Sequence, residues 1–236
     1  TFLIDTLVYP PLGLWYLSAQ LEAQGHDTDF RDLSADSFPA DGEFDQVWIS
    51  ATSPQMHEVR RLSELTRDWS KSRTVLGGAA PWANPASCIG LFDLVVSGES
   101  DHPKTVSDIL TRAQFVDKDL RDSWLAPKIT QGELSWVLPP VRRWDWKYHA
   151  NLEDHDGTKH RTTTLFTSRG CPMACAFCES GRNGVIWDKF VRYEPINLVS
   201  NQLWTAMDNG HTGVMFYDDI LPLNKPRMLD LLGVLK

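Results

Sequence analysis

The chain has 236 residues, 42% of them hydrophobic and 23% charged, a balance that excludes a mainly disordered protein. At about 150 residues per domain, one or two domains are expected. The 23 Lys+Arg against 31 Asp+Glu give a net charge of −8, which argues against nucleic-acid and anionic-membrane partners, since both need a basic surface.

Residues 1–5 form a short apolar run. The longest uncharged stretch, residues 6–21, is interrupted by Pro10, Pro11 and Gly13 and is no membrane span. Leu14, Leu17 and Leu21 recur at helical spacing, and Gly25 is a helix stop. Residues 27–32 predict a second strand and 46–50 (QVWIS) a third. Val59, Leu62, Leu65 and Trp69 mark an amphipathic helix. Residues 74–76, running into Gly77-Gly78, predict a fourth strand; residues 93–97, running into Gly98-Glu99, predict a fifth. A short helix around residues 106–110 follows.

This alternation predicts an α/β fold with a doubly wound, Rossmann-like parallel sheet over residues 1–120. Ligands in such sheets sit beyond the carboxyl ends of the strands. Those ends carry Pro10-Pro11-Leu12-Gly13, Ala51-Thr52-Ser53-Pro54, Gly77-Gly78 and Gly98-Glu99. Any one glycine there serves a tight turn; small residues at four ends together point to a bulky ligand.

Residues 121–160 read as a linker in which Trp136, Trp144 and Trp146 anchor onto a domain. From Thr162 the pattern is strand, loop, helix, strand, helix over the segment 161–236. Pro195 opens a helix with Ile196, Val199, Leu203 and Met207 on one face, and Gly210 ends it. Residues 213–217 (GVMFY) form a strand that runs into Asp218-Asp219, and a last helix starts near Pro226.

Cys171, Cys175 and Cys178 have the spacing C-x3-C-x2-C, with Phe177 before the last. Three thiolates on a four-iron cubane leave one iron open for a small molecule. Closed structural zinc would instead need a fourth ligand, from His155, His160 or His211. Cys88 stands alone and reads as a small buried hydrophobe. Arg169 either lies at the surface, bonds backbone, or docks the cysteine loop. The pairs Arg60-Arg61 and Arg142-Arg143 read as solvated faces.

The segment Ser168-Arg169-Gly170-Cys171-Pro172-Met173-Ala174-Cys175-Ala176-Phe177-Cys178, directly after a strand, resembles the radical S-adenosylmethionine (SAM) enzymes. The resemblance implies that Cys171, Cys175 and Cys178 hold a 4Fe-4S cluster, that Phe177 lies near the adenine of SAM, and that a 5′-deoxyadenosyl radical is formed. Tyr217, Asp218 and Asp219 resemble the segment that binds the methionine amino group in the cobalamin-dependent branch; without the cysteines they would read as an acidic turn. The N-terminal half resembles the cobalamin-binding domain of that branch. On that likeness Leu12, Gly13, Thr52, Ser53, Gly77, Gly78, Gly98 and Glu99 contact cobalamin. The Asp-x-His-x-x-Gly motif is absent, and His57 lies outside such a pattern, so no protein histidine is expected on cobalt.

The family barrel has six βα units, and residues 161–236 offer two, the start of a (β/α)6 TIM-like barrel. Further chain or a partner would complete it. The resemblance implies a cobalamin-dependent methyltransferase acting on an unactivated carbon of a small molecule, with a one-electron reductant such as flavodoxin or ferredoxin. The alternatives are a radical enzyme without cobalamin, catalysing cyclisation or rearrangement or acting like a tRNA methylthiotransferase, and a non-enzymatic cobalamin- or metal-binding module. No export signal is visible, and an iron–sulfur loop needs reducing conditions, so a cytoplasmic location is expected.

Overall fold

The runs 46–50, 73–77 and 94–97 are rich in β-branched and aliphatic residues and are buried on both faces, as central strands of a parallel sheet require. In the computed structural model, residues 2–3, 11–33, 36–117, 121–140, 151–176, 178 and 190–235 are described. The chain divides into two compact units. One is built on Gly13–Ile129 with Trp136–Pro140, the other on Thr130–Ser135 and Val141–Lys236.

The first unit runs β1 (Phe2–Leu3), α1 (Leu12–Ala23), β2 (Arg31–Asp32), β3 (Gln46–Ser50), α2 (Met56–Thr66), β4 (Arg73–Gly77), α3 (Ala79–Ala83), β5 (Leu94–Ser97), α4 (Pro103–Phe115) and β6 (Asp122–Leu125). The six strands pair in the order β2-β1-β3-β4-β5-β6, every pair parallel. Alternate side chains leave opposite faces. Val47, Ile49, Leu76 and Val95 pack with Val59 and Leu62 of α2 and Ala80 of α3. Trp48, Val75, Leu94 and Val96 pack with Leu21 of α1 and with Val106, Ile109 and Ala113 of α4. The sheet is therefore doubly wound. Gln24 ties the two helices of the second face, its Nε2 donating to the carbonyl of Pro103 (3.2 Å) and its Oε1 accepting from the Ser107 hydroxyl (2.7 Å).

Gly25 ends α1 as expected. It has φ +86°, and the N–H groups of Gly25 and His26 donate to the carbonyls of Glu22 and Leu21 (3.0 Å each), a Schellman closure. Three sequence expectations shift. The second strand shortens from residues 27–32 to Arg31–Asp32. Leu65 is 52% exposed, and Ser63 and Thr66 complete the buried face of α2 instead. The stretch read as a linker supplies β6, whose register Leu94↔Asp122 to Ser97↔Leu125 extends the sheet.

The second unit holds β7 (Asn151–Glu153), β8 (Lys159–Leu165), β9 (Ser168–Arg169), β10 (Arg192–Tyr193), α5 (Ile196–Asp208), β11 (Gly213–Phe216) and α6 (Lys225–Val234). β8 is central, antiparallel to β7 and parallel to β11, with Thr162↔Gly213 through Leu165↔Phe216 in register. β9 and β10 form an antiparallel pair. Leu165, Val199, Leu203 and Leu231 form the core, flanked by Val214, Phe216 and Met228. Met207 points away from it at 57% exposure, its expected place taken by Ala206. β8-α5-β11-α6 is thus two successive βα units.

Candidate functional site: a sheet edge and a cysteine loop

Because β3, β4 and β5 are parallel, Thr52-Ser53, Gly77-Gly78 and Gly98-Glu99 share one edge of the first unit. Strand order reverses between β1 and β3, and the crevice at such a reversal is where ligands bind in open α/β sheets. Leu12 at the start of α1 is buried, while Gly13, Thr52 and Ser53 are exposed. Thr52 is held by the side chain of Gln55, whose Oε1 accepts from its backbone N–H (2.7 Å) and hydroxyl (3.0 Å).

The glycines at this edge fall into two kinds. A Cβ on Gly78 (φ +94°) would lie 2.7 Å from the carbonyl oxygen of Ala51, and one on Gly98 (φ +118°) would lie 2.9 Å from that of Ala126. Both are demanded by the protein's own packing. A Cβ on Gly13 or Gly77 would meet nothing within 4 Å, so there the chain leaves room. That opening on the ligand edge fits a bulky group. Glu99 is buried, and its carboxylate accepts the Ile129 N–H (2.9 Å), bracing the segment that follows β6.

In the second unit, β8 ends at Leu165 and the chain enters the cysteine segment through Thr167, Ser168, Arg169 and Gly170 (φ +93°). Cys171 is buried, Cys178 half-buried and Cys175 exposed. The Cys178 N–H donates to the Cys175 carbonyl (3.1 Å), a turn that brings these two positions onto one loop. Phe177 lies outside the described residues. Among the described residues, the His, Cys, Asp and Glu set whose ligand atoms all lie within 4.8 Å of one another is Asp154, His155 and Asp156, exposed in the β7–β8 turn. Cys171, Cys175 and Cys178 are not in such a set. The histidines weighed as a fourth zinc ligand are engaged elsewhere. His160 contacts Asp154 (3.1 Å) and Thr212 (3.2 Å), His155 contacts Asp156 (3.2 Å), and the His211 ring contacts the Ala206 carbonyl (3.2 Å). Among the described residues no fourth donor joins the three sulfurs, a donor set that fits an iron–sulfur cubane with one open corner.

Asp218, at the end of β11, reaches back to the entrance of this loop. Its carboxylate accepts the Thr167 N–H (3.0 Å), the Thr167 hydroxyl (2.8 Å) and the Ser168 hydroxyl. The neighbouring Tyr217 N–H donates to the Leu165 carbonyl (2.8 Å), and its ring meets Phe166 edge-on with centroids 5.9 Å apart. Asp219 is exposed. Sequence reasoning placed these acidic residues at a strand end but missed what holds them. Arg227 of α6 donates to the carbonyls of Thr167 (3.1 Å) and Glu194 (2.5 Å) and lies over the Tyr193 ring at 5.1 Å. Burial pulls its guanidinium below the ordinary value against the opposing charges of Asp218, Tyr193 and Glu194. The Glu194 N–H also donates to the Thr167 carbonyl (2.9 Å), and the Glu194 carboxylate faces buried Arg169 at 3.7 Å. Arg169 is therefore no surface residue. The signal available in sequence was weak: polar residues directly after strands, with an arginine one turn into a helix.

Residues 6–106 match the family model described as the B12 binding domain. Over 94% of its length it is 27% identical, in an alignment of 250 residues, to an uncharacterized methyltransferase of Pyrococcus horikoshii, of which it covers 51%. It also shares its fold with TsrM of Kitasatospora setae, a radical SAM methyltransferase. TsrM with its tryptophan substrate and a SAM analogue matches at TM-score 0.67 and 14% identity, over 94% of this chain and 47% of that one. TsrM with cobalamin and a 4Fe-4S cluster matches at TM-score 0.61 and 14% identity, over 95% and 49%. The chain thus spans about half the length of these relatives. Among the described residues no helix is long and apolar enough to cross a membrane.

Proposed function

We propose that the protein is a cobalamin-dependent radical SAM methyltransferase acting on a small molecule, as the Kitasatospora protein acts on tryptophan. The reading rests on one conjunction: a B12-binding domain followed by a strand that ends in C-x3-C-x2-C. Cys171, Cys175 and Cys178 hold the cluster. Phe177, Tyr217, Asp218 and Asp219 would contact SAM. Leu12, Gly13, Thr52, Ser53, Gly77, Gly78, Gly98 and Glu99 form the cobalamin edge. When bound, the cluster would supply single electrons, SAM a methyl group and a cleavable sulfonium, and cobalamin a methyl carrier. The chain's own part is to bind and to orient. Gly13 and Gly77 leave backbone clear for the corrin, Thr52 and Ser53 present hydroxyls at the crevice, and acidic side chains after β11 accept hydrogen bonds from an ammonium group. The exposed Cys175 thiol suits a reducing compartment such as the cytoplasm, where flavodoxin or ferredoxin would deliver electrons.

The test is anaerobic loading of the protein with iron, sulfide and hydroxocobalamin, then desalting. The expected result is about four irons and one cobalamin retained per chain, the iron lost in Cys175→Ala. Incubation with reductant and methyl-labelled SAM should release 5′-deoxyadenosine and move label onto cobalamin. Cluster without cobalamin would point to the cobalamin-free radical enzyme, and cobalamin without SAM turnover to a binding module.

A further inference from the structure

Thr167 is the meeting point of three other elements of the second unit. Its N–H and hydroxyl go to Asp218 after β11, and its carbonyl receives the Glu194 N–H after β10 and the Arg227 guanidinium from α6. Ser168, the next residue, adds its hydroxyl to Asp218. Cys171 lies three residues further on. All the backbone polar groups of Thr167 are therefore spoken for, by partners 27 to 60 positions away in the chain. A loop that carries ligands is otherwise free to sample many arrangements, and fixing one of them is what groups outside the ligand shell do in metal sites.

We propose that Asp218 and Arg227 are positioning residues for the iron–sulfur cluster, acting through Thr167 to fix the backbone from which Cys171, Cys175 and Cys178 depart. This deepens the function proposed above and rests on it, since it presupposes a cluster at the three cysteines. Asp218 holds the loop entrance: two donors of Thr167 and one of Ser168 fill most of the roughly four acceptor sites of a carboxylate, leaving about one for SAM. Arg227 is fitted to its task by shape. Both bonds leave one nitrogen, Nη2, while the guanidinium face rests on Tyr193; a lysine ammonium has donors for the two carbonyls but no planar face for that ring.

The experiment uses the whole protein, loaded anaerobically with iron and sulfide. Three quantities are read: the rate at which a chelator strips iron, the electron paramagnetic resonance spectrum of the reduced cluster, and the thermal midpoint before loading. Asp218→Asn and Arg227→Met should lose iron about tenfold faster than wild type and show a changed spectrum. Arg227→Lys, which keeps a charged donor group but loses the planar face over Tyr193, should fall between Arg227→Met and wild type. Ser168→Ala, which removes a single hydrogen bond, supplies a mild variant should the others fail to fold. Leu231→Ala weakens the core of the same unit without touching the loop. It should lower the thermal midpoint while leaving iron loss and spectrum as in wild type. Wild-type rates and spectra in Asp218→Asn and Arg227→Met overturn the proposal and leave the proposed function standing. So does a Leu231→Ala protein that loses iron as fast as they do. A wild-type protein that takes up no iron overturns both.

Discussion

After β4 and β5 of the first unit the chain turns at glycines with positive φ, whereas after β8 of the second it turns inside a knot of charged and hydroxyl side chains. Both places are strand ends of parallel β structure, and both are candidate ligand sites. At the first, the turns pack closely on the protein itself: Gly78 sits on Ala51 and Ser50, Gly98 on Ala126, while Gly13 and Gly77 have nothing within 4 Å of a Cβ. Open space at those two positions suits a large flat ligand. At the second, three sulfurs must stand in fixed relation to one another, and Asp218, Glu194, Arg169 and Arg227 surround the entrance of the loop. Where a ligand is large, the protein withholds side chains. Where ligand atoms are few and their geometry is demanding, it supplies them.

The difference can be probed from both sides. Glu194→Ala should be the most damaging change, because it leaves the guanidinium of Arg169 buried without its carboxylate, a loss of about 3–5 kcal/mol. Urea denaturation reads it; a loss below about 1 kcal/mol would mean that charge does not hold the loop. Gly78→Ala comes next in the first unit. The strained φ and a Cβ at 2.7–2.8 Å from backbone and Ser50 atoms should together destabilise by about 2–4 kcal/mol in the same measurement. Gly13→Ala should do the opposite. With open space around it and a helical position, it should stabilise the cobalamin-free protein by about 0.5–1 kcal/mol while reducing hydroxocobalamin retained on desalting. Unchanged retention would remove Gly13 from the cobalamin edge. The smallest effect is expected at Asp41, whose carboxyl is held at about 2, below its ordinary 3.8, by the backbone N–H groups of Ser70, Ser72 and Lys71. A folded pKa below the unfolded one means stabilisation complete above pH 3.8 and lost as pH falls toward about 2. The thermal midpoints of wild type and Asp41→Asn should therefore converge over that interval.

Local patterns carried most of the architecture. QVWIS matches β3 residue for residue because a strand buried on both faces needs an unbroken apolar run. The cysteine spacing is equally local. What stayed hidden depends on distant partners. β6, with the sequence DSWL, is largely exposed at the sheet edge, so nothing in its composition separates it from a loop. Leu65 and Met207 carry the helical period but stand outside the faces that the sheet and the β8–β11 pair cover, where Ser63, Thr66 and Ala206 are buried instead. The knot at Thr167 draws on residues from 167 to 227 with no fixed spacing, and its acidic members read equally well as a turn or as a ligand site.

The grip of Arg227 on Thr167 also sets an order of events during biosynthesis. Those residues are 60 apart, so the cysteine segment leaves the ribosome well before the arginine that clamps it. Until β11 and α6 have emerged and packed, the thiols hang on an unfastened tether, open to oxidation or stray metal. Only once β11 and α6 have emerged can the entrance of the cysteine loop take up the arrangement that Arg227 holds.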